Sequence, residues 1–271
     1  MNVRIGLAQH RIGPDMEENL RQAQRAVLAC AGQGVQLVLL PEMFCCLYQL
    51  ERLRACAQPR GGEIWKQLRA LACQAGVYLL GGSMPELDAQ GRIYNTSFFF
   101  SPAGEELACY RKCHLFDVSL PGGLCIQESS VFTPGEQLRV VESPFGKIGL
   151  AICFDLRFPE QFRALADRGA QLVLVPAAFN STTGPAHWEI NCRSRALDNQ
   201  VFLCACAPAA APDGPYPYYG HSMAIDPWGR ILTELTGEAC ERVVTLDLDE
   251  TARIRAQLPL LQSRRPELYR Q

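Results

Sequence analysis

Apolar positions along this chain recur with two different periods, and the two alternate. Residues 3–8 form a short apolar run that predicts a strand, and residues 16–31 carry Leu20, Ala23, Val27 and Leu28 at helical spacing. A continuous apolar stretch at 35–40 then predicts a buried strand. The pattern repeats with a helix at 64–75, strands at 77–81 and 96–100, and an extended piece at 107–113 ahead of a Pro/Gly-rich loop at 120–124. A second cycle follows: a strand at 147–152, a helix near 159–168, a strand at 172–175 and a helix near 185–199, with the end of the chain reading mostly as strands. Alternation of this kind predicts a layered α/β domain, because a helical bundle or a pure sandwich would lack one of the two periods.

The two cycles also echo each other in sequence. Gly34-Val-Gln-Leu-Val-Leu-Leu-Pro-Glu-Met-Phe44 aligns with Gly169-Ala-Gln-Leu-Val-Leu-Val-Pro-Ala-Ala-Phe179, each placed after a helical segment. Two related halves would explain the match. Where the first copy has Glu42 the second has Ala177, so the strand end does not need a carboxylate in order to fold. That comparison shifts attention on Glu42 toward chemistry.

Composition narrows the class. A chain of 271 residues, 48% of them hydrophobic, can bury a substantial core, and we read it as one domain over 1–271. Its 26 basic and 28 acidic residues nearly cancel, leaving no long-range field to gather nucleic acid or anionic lipid. No apolar run approaches the roughly 20 residues of a membrane span, and the first residues do not resemble a secretory signal, so the expectation is a soluble cytoplasmic protein. The 13 cysteines are odd in number and often sit inside apolar runs such as Val201-Phe-Leu-Cys-Ala-Cys-Ala207. They suit small buried thiols better than a disulfide framework, and without a C-x-x-C pair a zinc site has little support.

Three positions stand apart. Glu42 follows an apolar strand and Pro41, so its carboxylate emerges at a strand's C-terminal end, where open α/β sheets place their sites. Partial burial there would raise its pKa and make it a usable general base; the plainer reading is a solvated charge ending a strand. Cys153 closes the strand Gly146-Lys-Ile-Gly-Leu-Ala-Ile-Cys153 just before a helix that Pro159 can open. A thiol on such a turn is exposed at its tip and faces backbone N–H groups, that of Phe154 among them, able to receive an oxyanion; the alternative is one more packed thiol. Lys112, in Tyr110-Arg-Lys-Cys-His-Leu-Phe116, could favour a thiolate or hold the oxyanion, or could simply be a surface charge. His114 is a rival base, since Cys–His pairs are the usual activated thiol arrangement, and spacing does not decide between it and Glu42.

Taken together, Leu39-Leu-Pro-Glu-Met-Phe44, Tyr110-Arg-Lys-Cys-His-Leu-Phe-Asp117 and Gly149-Leu-Ala-Ile-Cys-Phe-Asp-Leu-Arg-Phe-Pro-Glu160 resemble the three signature blocks of the nitrilase superfamily of carbon-nitrogen hydrolases. Further matching blocks, among them Gly81-Gly-Ser-Met-Pro-Glu86, Tyr94-Asn-Thr96, Gln127-Glu-Ser129 and Thr183-Gly-Pro-Ala-His-Trp-Glu189, spread the resemblance over nearly the whole chain. It implies a four-layer α-β-β-α sandwich, usually dimerised, with a Glu-Lys-Cys triad that falls on Glu42, Lys112 and Cys153. Glu128 would be a second acidic residue near the site. His114 would then be a structural neighbour and not the base.

Within the superfamily the chain is most similar to the ω-amidase branch, at His114-Leu-Phe-Asp117, Gln127-Glu-Ser129 and Ser194-Arg-Ala-Leu-Asp-Asn-Gln200. That branch hydrolyses the terminal amide of 2-oxo acids, 2-oxoglutaramate and 2-oxosuccinamate, through a cysteine thioester and without metal or cofactor. The substrate carboxylate calls for a cation, and Arg157 and Arg195 are the candidates. A deaminated glutathione amidase and a catalytically silent interaction module are the competing readings. The segment Ala209-Ala-Ala-Pro-Asp-Gly-Pro-Tyr-Pro-Tyr-Tyr219 departs from the family's pattern and could reshape the mouth of a pocket. The expected partners are therefore a small amide and a second copy of the chain.

Overall fold

The computed structural model describes residues 1–119 and 125–269. The predicted loop at 120–124 lies outside them. The first half runs β1 (Asn2–Gln9), α1 (Met16–Gly32), β2 (Leu37–Leu39), α2 (Leu50–Ala55), α3 (Glu63–Ala75), β3 (Tyr78–Leu80), β4 (Met84–Leu87), β5 (Ile93–Phe100) and β6 (Glu106–Arg111). A small hairpin of β7 (Asp117–Ser119) and β8 (Cys125–Gln127) leads to β9 (Arg139–Ser143), β10 (Gly146–Leu150), α4 (Pro159–Asp167), β11 (Leu172–Pro176), α5 (Gly184–Asn199) and β12 (Phe202–Cys206). The chain closes with β13 (Met223–Ile225), β14 (Ile231–Glu234), β15 (Cys240–Asp247), α6 (Asp249–Gln257) and α7 (Pro266–Tyr269).

These elements build two main sheets. One has the order β15-β1-β2-β3-β5-β4 with β6 also paired to β5; the other runs β14-β13-β12-β11-β10-β9. Strands β1, β2 and β3 are parallel, as are β10, β11 and β12, so each half contains two successive strand–helix–strand units. The echo in sequence is thereby an echo in structure, with β2 and β11 as equivalent central strands. Even the glycines correspond: Gly6 lies opposite Val38, and Gly149 opposite Val173. At each a helix packs tightly on its sheet, since a Cβ on Gly6 would lie 2.7 Å from Cys30 Sγ and one on Gly149 3.2 Å from Leu165.

Alternation along the strands sorts side chains between layers. Leu37, Leu39 and Phe99 join a core with Ile148, Leu150 and Leu172 of the other sheet, whereas Val38, Phe98 and Phe100 pack with Val27, Leu68 and Ala72 of α1 and α3. On the far side Phe162, Leu165, Trp188 and Cys192 bring α4 and α5 onto the second sheet. The result is the expected α-β-β-α sandwich. Two features went unread in the pattern: the six-residue α2, and the helices α6 and α7 where mostly strands were expected. A six-residue helix with one buried residue, Leu53, shows too little of a 3.6 period to stand out. Among the described residues no helix is long and apolar enough to cross a membrane.

Candidate active site

Four ionisable side chains meet just beyond the strand ends. Glu42 follows β2, Lys112 follows β6, Glu128 opens a 3-10 turn after β8, and Cys153 opens another after β10. Lys112 Nζ donates to Glu42 Oε1 at 3.0 Å and to Glu128 Oε1 and Oε2 at 3.0 and 2.9 Å, with all three side chains wholly buried. Asn95 ties two of them together. Its Nδ2 donates to Glu42 Oε1 at 2.8 Å while its backbone carbonyl accepts the Lys112 N–H at 2.8 Å, across the β5–β6 ladder.

Local backbone geometry explains why these residues stand where they do. Met43 and Cys153 both adopt positive φ, 50° and 44°, which turns the chain sharply at each strand end and projects the functional side chain inward. Such a conformation costs on the order of 1–3 kcal/mol for a non-glycine residue and survives only where neighbours hold it. For the Glu42 turn the neighbours are Gly82 and Ser83. Ser83 Oγ accepts the Met43 N–H at 3.1 Å, and Gly82, at φ +60°, lies so near the Pro41 carbonyl that a Cβ would sit 2.1 Å from its oxygen. For the Cys153 turn the neighbour is Asp155. Its Oδ2 accepts from Ile152 N–H at 2.9 Å and Tyr110 Oη at 2.7 Å, and its Oδ1 from the His114 N–H and Nδ1. Asp155 thus fastens the cysteine turn to β6, the strand that delivers Lys112.

His114 is occupied by that arrangement. Its ring bonds Asp155 and stacks on Phe158 with centroids 3.6 Å apart. Glu86 plays a similar register role on β4: it takes a two-pronged contact from Arg111, at 2.9 and 2.8 Å, beside Lys112.

The charges of the cluster are set by burial and by one another. Burial raises the Glu42 pKa; Lys112 opposes the rise and Glu128 adds to it. Burial, then the Glu42 carboxyl, hold the Cys153 thiol well above its ordinary value, with Lys112 and the Ala178 N–H, 3.5 Å from Sγ, pulling the other way. Burial alone would discharge Lys112, but Glu128 and Glu42 more than offset it and keep the ammonium charged. A protonated thiol therefore faces a carboxyl poised to take its proton. Glu42 Oε2 has no hydrogen-bond partner among the described residues, which leaves one of its oxygens unengaged. Glu128, by contrast, is saturated by Lys112, the Phe116 N–H at 2.5 Å and the Tyr48 hydroxyl.

Cys153, 9% exposed, opens into a narrow pocket with free room of about 10 Å³, the space of one water molecule. Tyr48, Phe116, Phe154, Phe179 and Tyr216 wall it, and Arg157, Asn180 and Thr183 supply polar groups. Arg157 lies over the Phe154 and Phe179 rings, 5.7 and 5.2 Å from their centroids, and reaches His187 Nδ1 at 3.1 Å. Of the two arginines expected to meet a carboxylate, this one lines the cavity. Arg195 does not: it is buried on α5, donating to the Leu156 carbonyl at 2.9 Å and pairing with Asp198 at 3.4 Å. Its guanidinium braces the cysteine turn from behind. Among the described residues no group of three or more His, Cys, Asp or Glu side chains is arranged to hold a metal ion.

Several contributors carried no signal of their own in the sequence. Asn95 and Asp155 lie inside recognised blocks, but their partners are 53 and 41 residues away. The Tyr48 and Tyr216 rings meet at a 36° tilt with centroids 4.6 Å apart, and Tyr216 donates to the Ala178 carbonyl at 2.7 Å. The divergent segment 209–219 thus reaches the cavity wall through Tyr216. Only contact across the fold reveals these roles.

Comparison with known proteins adds to the geometry. The family pattern described as carbon-nitrogen hydrolase matches residues 4–256. Omega-amidase NIT2 of Mus musculus is 41% identical over 266 residues, 98% of this chain and 96% of that protein, and its Homo sapiens counterpart is 40% identical over the same shares. Among solved structures, Saccharomyces cerevisiae Nit3, a member of branch 10 of the nitrilase superfamily, superposes with a TM-score of 0.89 at 34% identity, covering 97% of each chain. A mutant of the Nesterenkonia sp. AN1 amidase, in which acrylamide has added to the active site cysteine, gives 0.81 at 31% identity and 98% of each chain.

Proposed function

This chain belongs to the carbon-nitrogen hydrolase family and is an amide-hydrolysing enzyme, and from that premise we propose that it is an ω-amidase, converting 2-oxoglutaramate to 2-oxoglutarate and ammonia, and 2-oxosuccinamate likewise, through a thioester on Cys153. The observation that carries the reading is the convergence of Glu42, Lys112 and Cys153 on one buried point, beside a cavity with a cation at its wall. The omega-amidase relatives supply the substrate class.

In this reading Arg157 holds the substrate carboxylate and the aromatic walls exclude water, which sets the terminal amide against Cys153. Glu42 takes the thiol proton as the C–S bond forms, and the oxyanion is held by the Lys112 ammonium and the Phe154 N–H. Glu42 returns the proton to nitrogen, the C–N bond breaks and ammonia leaves. A water then gives a proton to Glu42 and attacks the thioester, releasing the 2-oxo acid and restoring the thiol. Glu128 keeps Lys112 charged and in place throughout.

Steady-state ammonia release from 2-oxoglutaramate, run beside release of the cysteinylglycine amine from deaminated glutathione, tests the substrate, and intact-mass analysis after rapid quench tests the intermediate. Turnover of 2-oxoglutaramate with a 2-oxoglutaryl adduct on Cys153, absent in Cys153→Ala, is the expected result. A marked preference for the glutathione-derived amide reassigns the substrate, and undiminished ammonia release by Cys153→Ala removes the thiol from the reaction.

We also propose a homodimer in the cytoplasm. The outer face of α5 leaves Ile190 63% and nearby Trp228 47% exposed around a groove that includes Leu197, an apolar face suited to a second copy. All 13 cysteines are free thiols, which fits a reducing compartment. Sedimentation of the wild type against Ile190→Glu reads the dimer directly.

A further inference from the structure

Two cysteines that the proposed reaction does not use touch each other. Cys46 Sγ and Cys56 Sγ are 2.7 Å apart, one on the turn that continues from Glu42 and the other capping the C-terminus of α2. Cys46 is held by its N–H on the Met43 carbonyl at 3.0 Å, and Cys56 by its N–H on the Arg52 carbonyl at 2.8 Å. A disulfide needs about 2.05 Å between sulfurs, so bonding requires less than an ångström of closure. Helix α2 can supply it, being six residues long with only Leu53 buried.

We propose that Cys46 and Cys56 form a reversible dithiol–disulfide site, separate from Cys153, that reacts with low-molecular-weight disulfides. Burial sets the order of events. Cys56 is partly exposed and can meet a small disulfide from solvent, whereas Cys46 is 3% exposed and can meet only Cys56. The hydrogen bond from the Cys46 thiol lowers the Cys56 pKa to about 7 against the opposing effect of burial, with the Arg52 cation assisting. The outer sulfur is therefore the nucleophile at neutral pH.

The chemistry balances without any further reagent. Cys56 thiolate attacks one sulfur of the small disulfide, forming a mixed disulfide and expelling one thiolate. Cys46 then attacks the Cys56 sulfur as its proton passes to the departing sulfur, and the second small thiol leaves. Two protein thiols and one small disulfide become one protein disulfide and two small thiols. The other thiols lack one half of this arrangement: Cys30, Cys45, Cys192, Cys204 and Cys206 are buried with raised pKa values, and no second sulfur hydrogen-bonds to Cys73, Cys109, Cys113, Cys125 or Cys240 among the described residues. Two residues beyond Cys46 stands Tyr48, which bonds Glu128 and lines the cavity. Closure would staple that turn to α2.

The test uses the full chain carrying Cys153→Ala, so that the buried nucleophile takes no part. After equilibration with oxidised glutathione, alkylation and trypsin, peptide 26–52 should appear joined to peptide 55–60, with fragmentation placing the bond at Cys46 and dithiothreitol releasing it. Cys46→Ala should arrest at a stable glutathione adduct on Cys56, and Cys56→Ser should give neither product. The oxidised protein should melt higher by about 5 °C, the effect of closing a short loop in the unfolded chain, and Cys56→Ser should lose that rise. Cys46 and Cys56 both remaining open to alkylation, or a bond formed to Cys45, overturns the proposal. Should Cys46→Ala fail to fold, Cys56→Ser still decides, because its side chain is partly exposed.

Discussion

Lys112 Nζ lies 3.0 Å from Glu42 Oε1, and the same ammonium is shared with Glu128 at 2.9 Å, so one buried cation serves two buried carboxyl groups. Removing it strands both. Lys112→Ala should destabilise the fold by about 3–5 kcal/mol, the usual penalty for leaving a buried charge without its partner. Urea denaturation against wild type measures it, and a loss under 1 kcal/mol would mean that the cluster is far more hydrated than its burial implies.

The raised Glu42 pKa makes a signed prediction for activity. Glu42 must be unprotonated to take the thiol proton, so kcat/KM should fall on the acid side at a pH above the ordinary carboxylate range. Glu128 contributes to that rise, and Glu128→Gln should therefore move the acid limb to lower pH while lowering kcat at least about tenfold through looser seating of Lys112. An acid limb that stays put in Glu128→Gln would detach Glu42 from the profile.

The same shift has a consequence for stability. A group whose pKa is raised by folding favours the folded state below its unfolded pKa, and that contribution is lost as pH rises through the folded value. Ionised Glu42 is thus a burden at neutral pH. Glu42→Gln should abolish turnover yet raise Tm near pH 8, with the gain shrinking toward pH 4; a melting difference that does not vary with pH would contradict the sign.

The two arginines should separate cleanly. Arg157→Ala is expected to raise KM for 2-oxoglutaramate about 10- to 100-fold, the worth of a charge-assisted contact, with little change for an amide lacking the carboxylate. Arg195→Ala, which loses the brace on the Leu156 carbonyl, should lower Tm and leave KM nearly unchanged. Parallel Michaelis curves and melts on both variants distinguish binding from bracing.

For His114, bonded to Asp155 and stacked on Phe158, replacement by Gln should keep kcat within about tenfold and leave the acid limb in position, because the proposed mechanism uses Glu42 as base. Asp155→Asn should cost far more, since four donors converge on that carboxylate.

Much of this architecture is written in local pattern. The period-2 and period-3.6 runs mark both strand–helix–strand cycles, and the match of 34–44 with 169–179 identifies β2 and β11 as equivalents, because layering depends on which positions are apolar. The residue types at three strand ends, Glu42, Lys112 and Cys153, are legible for the same reason: turn chemistry and strand ends are local. Helix α2 is not, being too short to show a period, nor are α6 and α7, whose exposed faces carry little apolar signal.

What only the tertiary structure decided is which groups touch. Arg157 and Arg195 are indistinguishable as residue types, yet one faces the cavity and the other is spent on a backbone carbonyl. The His114 ring is engaged by a carboxylate 41 residues away, and Asn95 gains its place by bonding Glu42 with its side chain and Lys112 with its backbone. Spacing along a chain sets local geometry within a turn or a strand; distances of 3 Å between remote side chains, and the loss of water that shifts their pKa values, exist only once the two sheets have closed on each other.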